Sequence, residues 1–400
     1  MTMKMIGRLF APTGRKNSGR KNSGRKNSGS KISGLNISGT LAVITAMLLS
    51  GCGGNGEAKE AKEFLVVASR PNTLYMVELE NHQILKRCDI PGNFGMNSLT
   101  MAPDTRTAYL ISDNSSKIFG IEPDTCKLAF SADLSEGNVR GRSFGSITVS
   151  PDGSEVYTVI NRSRLLPDEF QPMDPVFAVF KTADGLNAKP VRSFPISRQL
   201  TVMATDKQGM VYIAGPDVLK VNPADGNVEV IAKVQNWDRP RYGRPDSFAM
   251  LPAGEGANEF LTMYTTPIFK DDSQTIETAD WVWGYTRVDL ETGAVKQADF
   301  APMEVLMFTG VTHPQNSDLL FGVYTQLSKH DLKTRKLIKR VDLDHTYYGL
   351  STSSSGHRIY VGGTASDIGV YDSETLEKIT TIELDGDMST ANIRVFRREG

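Results

Sequence analysis

The hydrophobic and polar residues of this chain repeat one pattern, a polar turn followed by a short strand with alternating apolar positions. The clearest copy is SPDGSEVYTVI at residues 150–160. Its Pro-Asp-Gly triplet favours a tight turn, because Pro fixes φ, Asp bonds to nearby backbone and Gly adopts positive φ. Related copies occur at residues 102–111, 206–215, 313–323 and 353–363. A period of two indicates β-strands, so the chain is predicted to consist of repeated strand-turn units.

A second pattern alternates with the first and consists of a strand, a turn rich in Asp, Gly and Thr, and another strand. It begins seven times, at Leu74, Ile118, Phe177, Val218, Tyr285, Leu327 and Ile368. No long amphipathic helical segment separates these hairpins. Together the two patterns give units of four strands, most of them roughly 40–45 residues long, which is the spacing of β-propeller blades.

The ends of the chain predict that these units close into a ring. The first unit lacks its innermost strand, and a spare strand at residues 392–397 follows the last unit. If the spare strand completes the first unit, the ring has no open sheet edge. We therefore predict an all-β, seven-bladed β-propeller over residues 63–400, closed by the C-terminal strand, with insertions near residues 162–175 and 236–280. The alternative, a two-domain β-sandwich, would not produce seven matching hairpins.

Residues 1–51 predict an export signal rather than part of the fold. They hold nine Lys and Arg residues, no Asp or Glu, three tandem RKNSG repeats and an apolar run at residues 41–49. A basic segment, a short apolar core and small residues before a cleavage point are typical of a secretory signal peptide. The tetrad LSGC resembles a bacterial lipobox, which predicts lipidation of Cys52; the alternative is an ordinary signal peptide beside a cysteine. Residues 52–62 are predicted to be a flexible linker.

The rest of the chain is acidic. The whole chain has 45 Lys and Arg residues, and nine of them lie within residues 1–51. The remaining 36 stand against 46 Asp and Glu residues, which gives residues 52–400 a formal charge of about −10. A body of this charge has no electrostatic reason to bind nucleic acid.

Export would place the two remaining cysteines in an oxidising compartment. Cys88 is predicted to lie on the outer strand of the first blade, and Cys126 in a peripheral turn of the second. Because adjacent blades meet there, we expect a disulfide bond between them. Two buried free thiols are the alternative.

The sequence carries no motif for metal, haem or phosphate chemistry. HExxH, CxxC, CxxCH and Gly-rich phosphate loops are absent. Five histidines are scattered without metal-ligand spacing, at positions 82, 313, 330, 345 and 357. We therefore expect no catalytic residue, metal site or cofactor in this chain.

Candidate binding residues lie in the connections from the outer strand of one blade to the inner strand of the next, which gather at one end of a propeller. The predicted substrate-pocket or subunit-interface residues come from LDHTYYG and LDGDMST and are Asp344, His345, Tyr347, Tyr348, Asp387 and Met388. Three hydrogen-bonding rings at one connection can orient a small molecule. Other connections carry Phe94, Arg142, Arg198, Trp237, Tyr242 and Phe308.

Long stretches between about Phe64 and Phe396 resemble the β subunit of quinohemoprotein amine dehydrogenase. They are MAPDTRTAYLI, GIEPDTCK, TADGLNAKPVRSFP, VYIAGPD, FKDDSQTIETAD, DLKTRKLIKRVDLDHTYY, GGTASDI and DGDMST. The resemblance implies a periplasmic heterotrimer that oxidises primary amines. A dihaem α subunit would carry haem c, and a small γ subunit would carry cysteine tryptophylquinone and the proton-abstracting carboxylate. This chain would bind no redox cofactor, cover the quinone subunit and help to form the amine pocket.

Two other classes of function remain open. One is an exported propeller lipoprotein that acts as a scaffold or binding protein. The other is a stand-alone propeller hydrolase similar to a lactonase, which would need inward carboxylates or histidines around a metal. Members of the amine dehydrogenase family are described as soluble periplasmic proteins, so the LSGC tetrad leaves open whether this protein is lipid-anchored.

Overall fold

Seven antiparallel sheets follow one another along the chain and form the seven blades of a β-propeller, which confirms the predicted fold. A computed structural model describes residues 61–92, 98–247, 258–388 and 391–398. The predicted signal peptide, Cys52, nearly all of the predicted linker and Phe94 lie outside the described residues. Within those ranges no helix is long and apolar enough to cross a membrane.

The strands of the first four blades have these bounds. The first blade contains β1 (Lys62–Ser69), β2 (Thr73–Glu78), β3 (Gln83–Asp89) and the last strand of the chain, β29 (Arg394–Arg398). The second contains β4 (Ser98–Met101), β5 (Ala108–Ser112), β6 (Lys117–Glu122) and β7 (Lys127–Asp133). The third contains β8 (Val139–Arg142), β9 (Ile147–Val149), β10 (Glu155–Leu165), β11 (Phe170–Lys181) and β12 (Arg192–Pro195). The fourth contains β13 (Met203–Thr205), β14 (Val211–Ile213), β15 (Asp217–Val221) and β16 (Val228–Lys233).

The last three blades follow the same order. The fifth contains β17 (Asp246–Ser247), β18 (Glu259–Ile268), β19 (Asp280–Asp289) and β20 (Val295–Pro302). The sixth contains β21 (Thr309–His313), β22 (Asn316–Val323), β23 (Gln326–Asp331) and β24 (Lys336–Asp342). The seventh contains β25 (Gly349–Thr352), β26 (Arg358–Gly362), β27 (Asp367–Asp372) and β28 (Lys378–Glu383). Short 3₁₀ helices lie at Thr182–Asp184 and Ile276–Thr278.

The C-terminal strand closes the ring as predicted. β29 pairs antiparallel with β1, and Phe64 lies opposite Phe396 with the two rings stacked 5.8 Å apart between centroids. The innermost strand of the first blade therefore comes from the far end of the chain, so the ends of the ring are joined by backbone hydrogen bonds.

The core lies between neighbouring blades, which explains why both faces of the alternating strands are buried. On β10, Val156 packs against residues of the second blade such as Phe130, whereas the adjacent Tyr157 packs against the fourth blade at Val211. Each blade is covered on both sides by its neighbours, so an apolar residue is favoured at nearly every strand position near the channel.

The predicted disulfide is present between the first two blades. Cys88 lies on the outer strand β3, and Cys126 lies in the turn between β6 and β7. Their Cα atoms are 5.0 Å apart and the bond spans 38 residues of sequence. Chain-entropy models give about 4 kcal/mol for a closed loop of this length, and measured values are often lower.

The insertion predicted near residues 162–175 is an extension of a hairpin. β10 and β11 stay paired from Glu155–Lys181 out to Leu165–Phe170, with an irregularity after Ile160. The inner edge of β10 pairs with β9 at residues 156–158 and with β8 at residues 161–164, nearer the hairpin tip. The outer strand β12 covers β11 only from Val176 to Val179. The far half of the hairpin therefore extends beyond the outer strand of its blade.

Candidate functional site

The connections from each outer strand to the next inner strand lie at one end of the ring, which we call the upper end. The turns between the second and third strands of each blade lie at the same end, because successive strands of a blade are antiparallel. The remaining turns lie at the opposite, lower end. The predicted site residues belong to two upper-end connections, residues 343–348 and 384–393.

A hydrogen-bonded group of three side chains holds the first of these connections in place. Asp367, at the start of β27, accepts a hydrogen bond of 2.6 Å from the Tyr347 hydroxyl on one carboxylate oxygen. Its other oxygen lies 2.7 Å from His345 Nε2. The two rings are 4.1 Å apart, and the Nδ1 of His345 lies 2.9 Å from the Thr346 carbonyl oxygen. Both ring nitrogens of His345 therefore lie within hydrogen-bond distance of an oxygen atom.

Tyr347 is fully buried in this arrangement. Burial, and then the bond to Asp367, raises the pKa of its hydroxyl well above the usual range, so the group stays protonated and donates its hydrogen bond. The ring packs in the core between the sixth and seventh blades. In this chain Tyr347 thus supports the connection from inside and does not reach the surface.

Tyr348, the next residue, faces the other way and belongs to a group of three rings. Its ring lies 4.5 Å from that of Phe308 and 6.0 Å from that of Tyr324, and all three are partly exposed. We call Phe308, Tyr324 and Tyr348 the upper aromatic cluster. Tyr324 was not predicted from the sequence, although it lies in a turn between the second and third strands, which also reaches the upper end.

Asp344, Asp387 and Met388 complete the predicted set. Asp344 is exposed and forms an ion pair with Lys378, which lowers the pKa of its carboxyl. The Asp387 carboxylate lies 3.9 Å from the guanidinium of Arg70. Met388 is fully buried in the core between the seventh and first blades.

The structure brings the two predicted connections together around one turn of the seventh blade. Tyr348 N donates to Gly362 O at 3.0 Å, and Met388 N donates to Ala365 O at 2.7 Å. Asp344, His345, Tyr348 and Asp387 remain at or near the surface. Contact of any of these residues with a substrate or partner stays a prediction.

Trp237 and Tyr242 lie in a second upper-end cluster, on the fifth blade. Both terminal nitrogens of Arg239 bond to Asp299, and its guanidinium lies 3.6 Å from the ring centroid of Tyr242. The Tyr242 and Tyr264 hydroxyls donate to the same carboxylate at 2.9 and 3.0 Å. Burial alone would raise the pKa of Asp299, but these three donors outweigh burial and lower it.

A cavity of about 340 Å³ with both polar and apolar lining residues lies in the channel at the lower end and was not predicted. Its lining includes Glu259 and Arg394. Burial raises the pKa of Glu259 to about 7, although Thr312 donates to it and Arg287 lies 3.6 Å away. Burial lowers the pKa of Arg394 to about 9, and its Nε donates to Leu99 O at 2.7 Å. The sequence feature that could have indicated this cavity is a glutamate at the start of the apolar strand EFLTMYTTPI.

The sequence contains one match to a catalytic pattern that the fold does not support. GRSFG at residues 141–145 fits GxSxG, the motif of a nucleophilic serine between a strand and a helix. Here Ser143 is fully buried, and its hydroxyl bonds to Ser146 and Thr158. Strand β9 follows it instead of a helix, so the motif lacks its required context. In the described ranges no group of three or more His, Cys, Asp or Glu residues is placed to hold a metal ion.

Comparisons with known proteins identify the fold. No protein family matches the chain, and no curated protein matches its sequence. Hydrazine synthase from Kuenenia stuttgartiensis superposes with a TM-score of 0.51 at 12% identity, over 79% of this chain and 90% of that one. A functionally unknown protein from Desulfotomaculum acetoxidans gives 0.52 at 10% identity, over 84% and 99%. Apo AztD from Citrobacter koseri gives 0.49 at 12% identity, over 85% and 99%.

The first two of these likenesses show the propeller fold alone, because the sequence identities are so low. None of the three is named as an amine dehydrogenase subunit. The resemblance to that family therefore stays a prediction.

Proposed function

We propose that this chain is the cofactor-free propeller subunit of an exported, periplasmic amine dehydrogenase. In this proposal the upper end near the seventh blade covers the quinone-bearing γ subunit and forms one wall of the amine pocket. The observation that carries the proposal is the partly exposed upper aromatic cluster, which lies in the same region as His345, Asp344 and Asp387. The sequence resemblance and the seven-bladed ring support it.

The residues of this region divide into supporting and contacting groups. Tyr347 and Met388 are buried, so they fix the two connections. The upper aromatic cluster supplies partly exposed apolar surface, and Asp344 and Asp387 supply charge around it. Aromatic residues surrounded by a polar rim are the usual composition of a protein interface.

Redox chemistry in this proposal belongs to the partners. Cysteine tryptophylquinone on the γ subunit and haem c on the α subunit would supply oxidation and electron transfer when bound. The residues of this chain would bind, orient the partner and exclude water from the pocket. Lipidation of Cys52 would attach the complex to the membrane.

The first test is co-purification of the tagged full-length chain from its native host. We expect a c-type haem protein and a small chain that gives a quinone redox stain, both in stoichiometric amounts. Isolation of the folded chain without either protein would contradict the proposal. It would favour the scaffold lipoprotein, and a bound metal with hydrolase activity would favour the lactonase-like enzyme.

The second test locates the interface in the assembled complex. Tyr348→Ala should raise KM for primary amines or weaken assembly while leaving kcat unchanged, because it removes binding surface and no reacting group. Ile379→Ala is the control, since Ile379 is 47% exposed on the outer strand of the same blade. A fully assembled complex with unchanged KM in Tyr348→Ala would remove the upper aromatic cluster from the pocket.

A further inference from the structure

The far half of the β10–β11 hairpin and two neighbouring connections enclose a cavity of about 400 Å³ at the upper end of the third blade. The lining side chains of interest are four arginines and two phenylalanines: Arg140, Arg142, Arg162, Arg198, Phe144 and Phe170. We call this cavity the third-blade pocket. It lies on the other side of the ring from the sixth and seventh blades, which carry the upper aromatic cluster.

The arginines of the pocket are only partly engaged within the chain. Arg162 Nε donates to Asp174 O at 3.0 Å, and Arg198 Nη2 donates to Met173 O at 2.8 Å. The only carboxylate in reach of Arg198 among the described residues is that of Asp174, which is 3.9 Å away and 91% exposed. The guanidinium groups of Arg140 and Arg142 make no hydrogen bond or ion pair with any residue that the structure describes. Their donors are therefore available to another molecule.

The two aromatic rings are also open to solvent. Phe144 is 49% exposed and Phe170 is 64% exposed, whereas most large apolar side chains of the propeller are buried. Exposed rings beside arginines are the composition of interface hot spots. A ligand that fits must therefore offer an apolar group as well as negative charge.

Charge complementarity defines the class of that ligand. Residues 52–400 are acidic, with a formal charge of about −10, yet all four charged side chains of this pocket are basic. A guanidinium group presents paired N–H donors that match a carboxylate. We propose that the third-blade pocket docks an acidic segment of a partner protein, with carboxylates on Arg140 and Arg142 and an apolar side chain against Phe144 and Phe170.

One observation favours a protein over an anionic membrane surface. The first described strand, β1, begins at Lys62 at the lower end, where it pairs with the end of β2. If Cys52 is lipidated, the lipid precedes β1 in the chain, and the start of β1 lies at the end opposite to the pocket. The inference does not depend on amine oxidation, although a companion subunit could supply the segment.

The test uses the folded, processed chain and a synthetic peptide in which Asp and Glu alternate with a central Phe. The matched peptide has Asn and Gln in place of each acid. Fluorescence anisotropy should show binding of the acidic peptide at low salt, weaker binding at ~0.15 M salt and no binding of the amide peptide. The double variant Arg140→Gln, Arg142→Gln should weaken binding about tenfold or more, and Phe170→Ala should weaken it several-fold.

A control variant separates a local effect from a change in net charge. Lys336→Gln, Lys339→Gln removes the same charge from exposed positions on the outer strand β24 and should leave peptide binding unchanged. Circular dichroism and thermal unfolding should show that both double variants are folded, because all four substituted side chains are exposed. Equal binding of the acidic and the amide peptide to the wild-type protein, or no binding of either peptide, would overturn the proposal.

Two further outcomes also decide the matter. Equal peptide binding by the wild type and the Arg140→Gln, Arg142→Gln variant would show that the pocket is not the docking site. Binding of phosphatidylglycerol vesicles in place of the peptide, lost in the same variant, would identify a membrane contact and contradict a protein partner. Neither result depends on whether haem and quinone subunits co-purify, so failure here is distinguishable from failure of the proposed function.

Discussion

The fifth and third blades both place arginine and aromatic residues at the upper end, but the arginines have different surroundings. On the fifth blade, Arg239 stacks on Tyr242 and forms two bonds to Asp299. On the third blade, Arg140 and Arg142 bond to no described side chain. Composition alone therefore does not distinguish a structural lock from a recognition surface. The distinguishing feature is a carboxylate supplied by the same chain.

The fifth-blade cluster is a closed network. Asp299, on the outer strand β20, accepts from Arg239 and Tyr242 in the connection before β17 and from Tyr264 on β18. A half-buried carboxylate with three donors is strongly held, and each donor depends on it. The third-blade arginines have no such common acceptor, so their removal should leave the fold intact.

The largest expected effect comes from removing the shared acceptor. Asp299→Ala leaves one guanidinium and two hydroxyls without their partner and should reduce the free energy of unfolding by about 3 kcal/mol. Urea unfolding measures this loss. The control is Asp174→Ala, which removes an exposed carboxylate beside Arg198 and should change stability by less than ~0.5 kcal/mol. Similar losses for the two variants would remove the distinction between the blades.

Part of that difference should depend on pH. The pKa of Asp299 is lower in the folded state than in the unfolded chain. Its stabilisation is therefore complete above the unfolded pKa, about 3.9, and is lost as the pH falls through the lower folded pKa. The stability gap between wild type and Asp299→Ala should shrink across this acidic range and stay constant from pH 6 to 8. A gap that widened on acidification would contradict the lowered pKa.

The seventh blade offers a smaller version of the same contrast, within two adjacent tyrosines. Tyr347→Phe removes the bond to Asp367 and should cost about 1 kcal/mol of unfolding free energy. Tyr348→Phe is the matched control, because its hydroxyl bonds to no residue that the structure describes, and it should have almost no effect. Equal costs would mean that the Tyr347 hydroxyl does not stabilise the connection.

These contrasts mark what the sequence could predict. Strand alternation, the spare strand and the positions of Cys88 and Cys126 depend on short-range pattern and ring closure, and all were predicted correctly. The hydrogen-bond partners of the polar side chains were not predicted. Asp299 lies 60 positions after Arg239, and Asp367 lies 20 after Tyr347, so no local pattern connects them. The adjacent Tyr347 and Tyr348 were predicted to act together, but they point to opposite sides of the connection.

The smallest expected effect on stability comes from substituting Asp344, which has one charged partner but is largely exposed. It has a partner, Lys378, but its side chain is 63% exposed, so solvent screens the ion pair. Asp344→Asn should therefore change the free energy of unfolding by less than ~0.5 kcal/mol, as should Asp385→Asn, which breaks the exposed pair with Arg87. A loss above ~1 kcal/mol from Asp344→Asn alone would place it with the partnered, structural residues. If stability is unchanged, any weakening of complex assembly by Asp344→Asn has to come from the interface itself, because the fold that positions the carboxylate is intact.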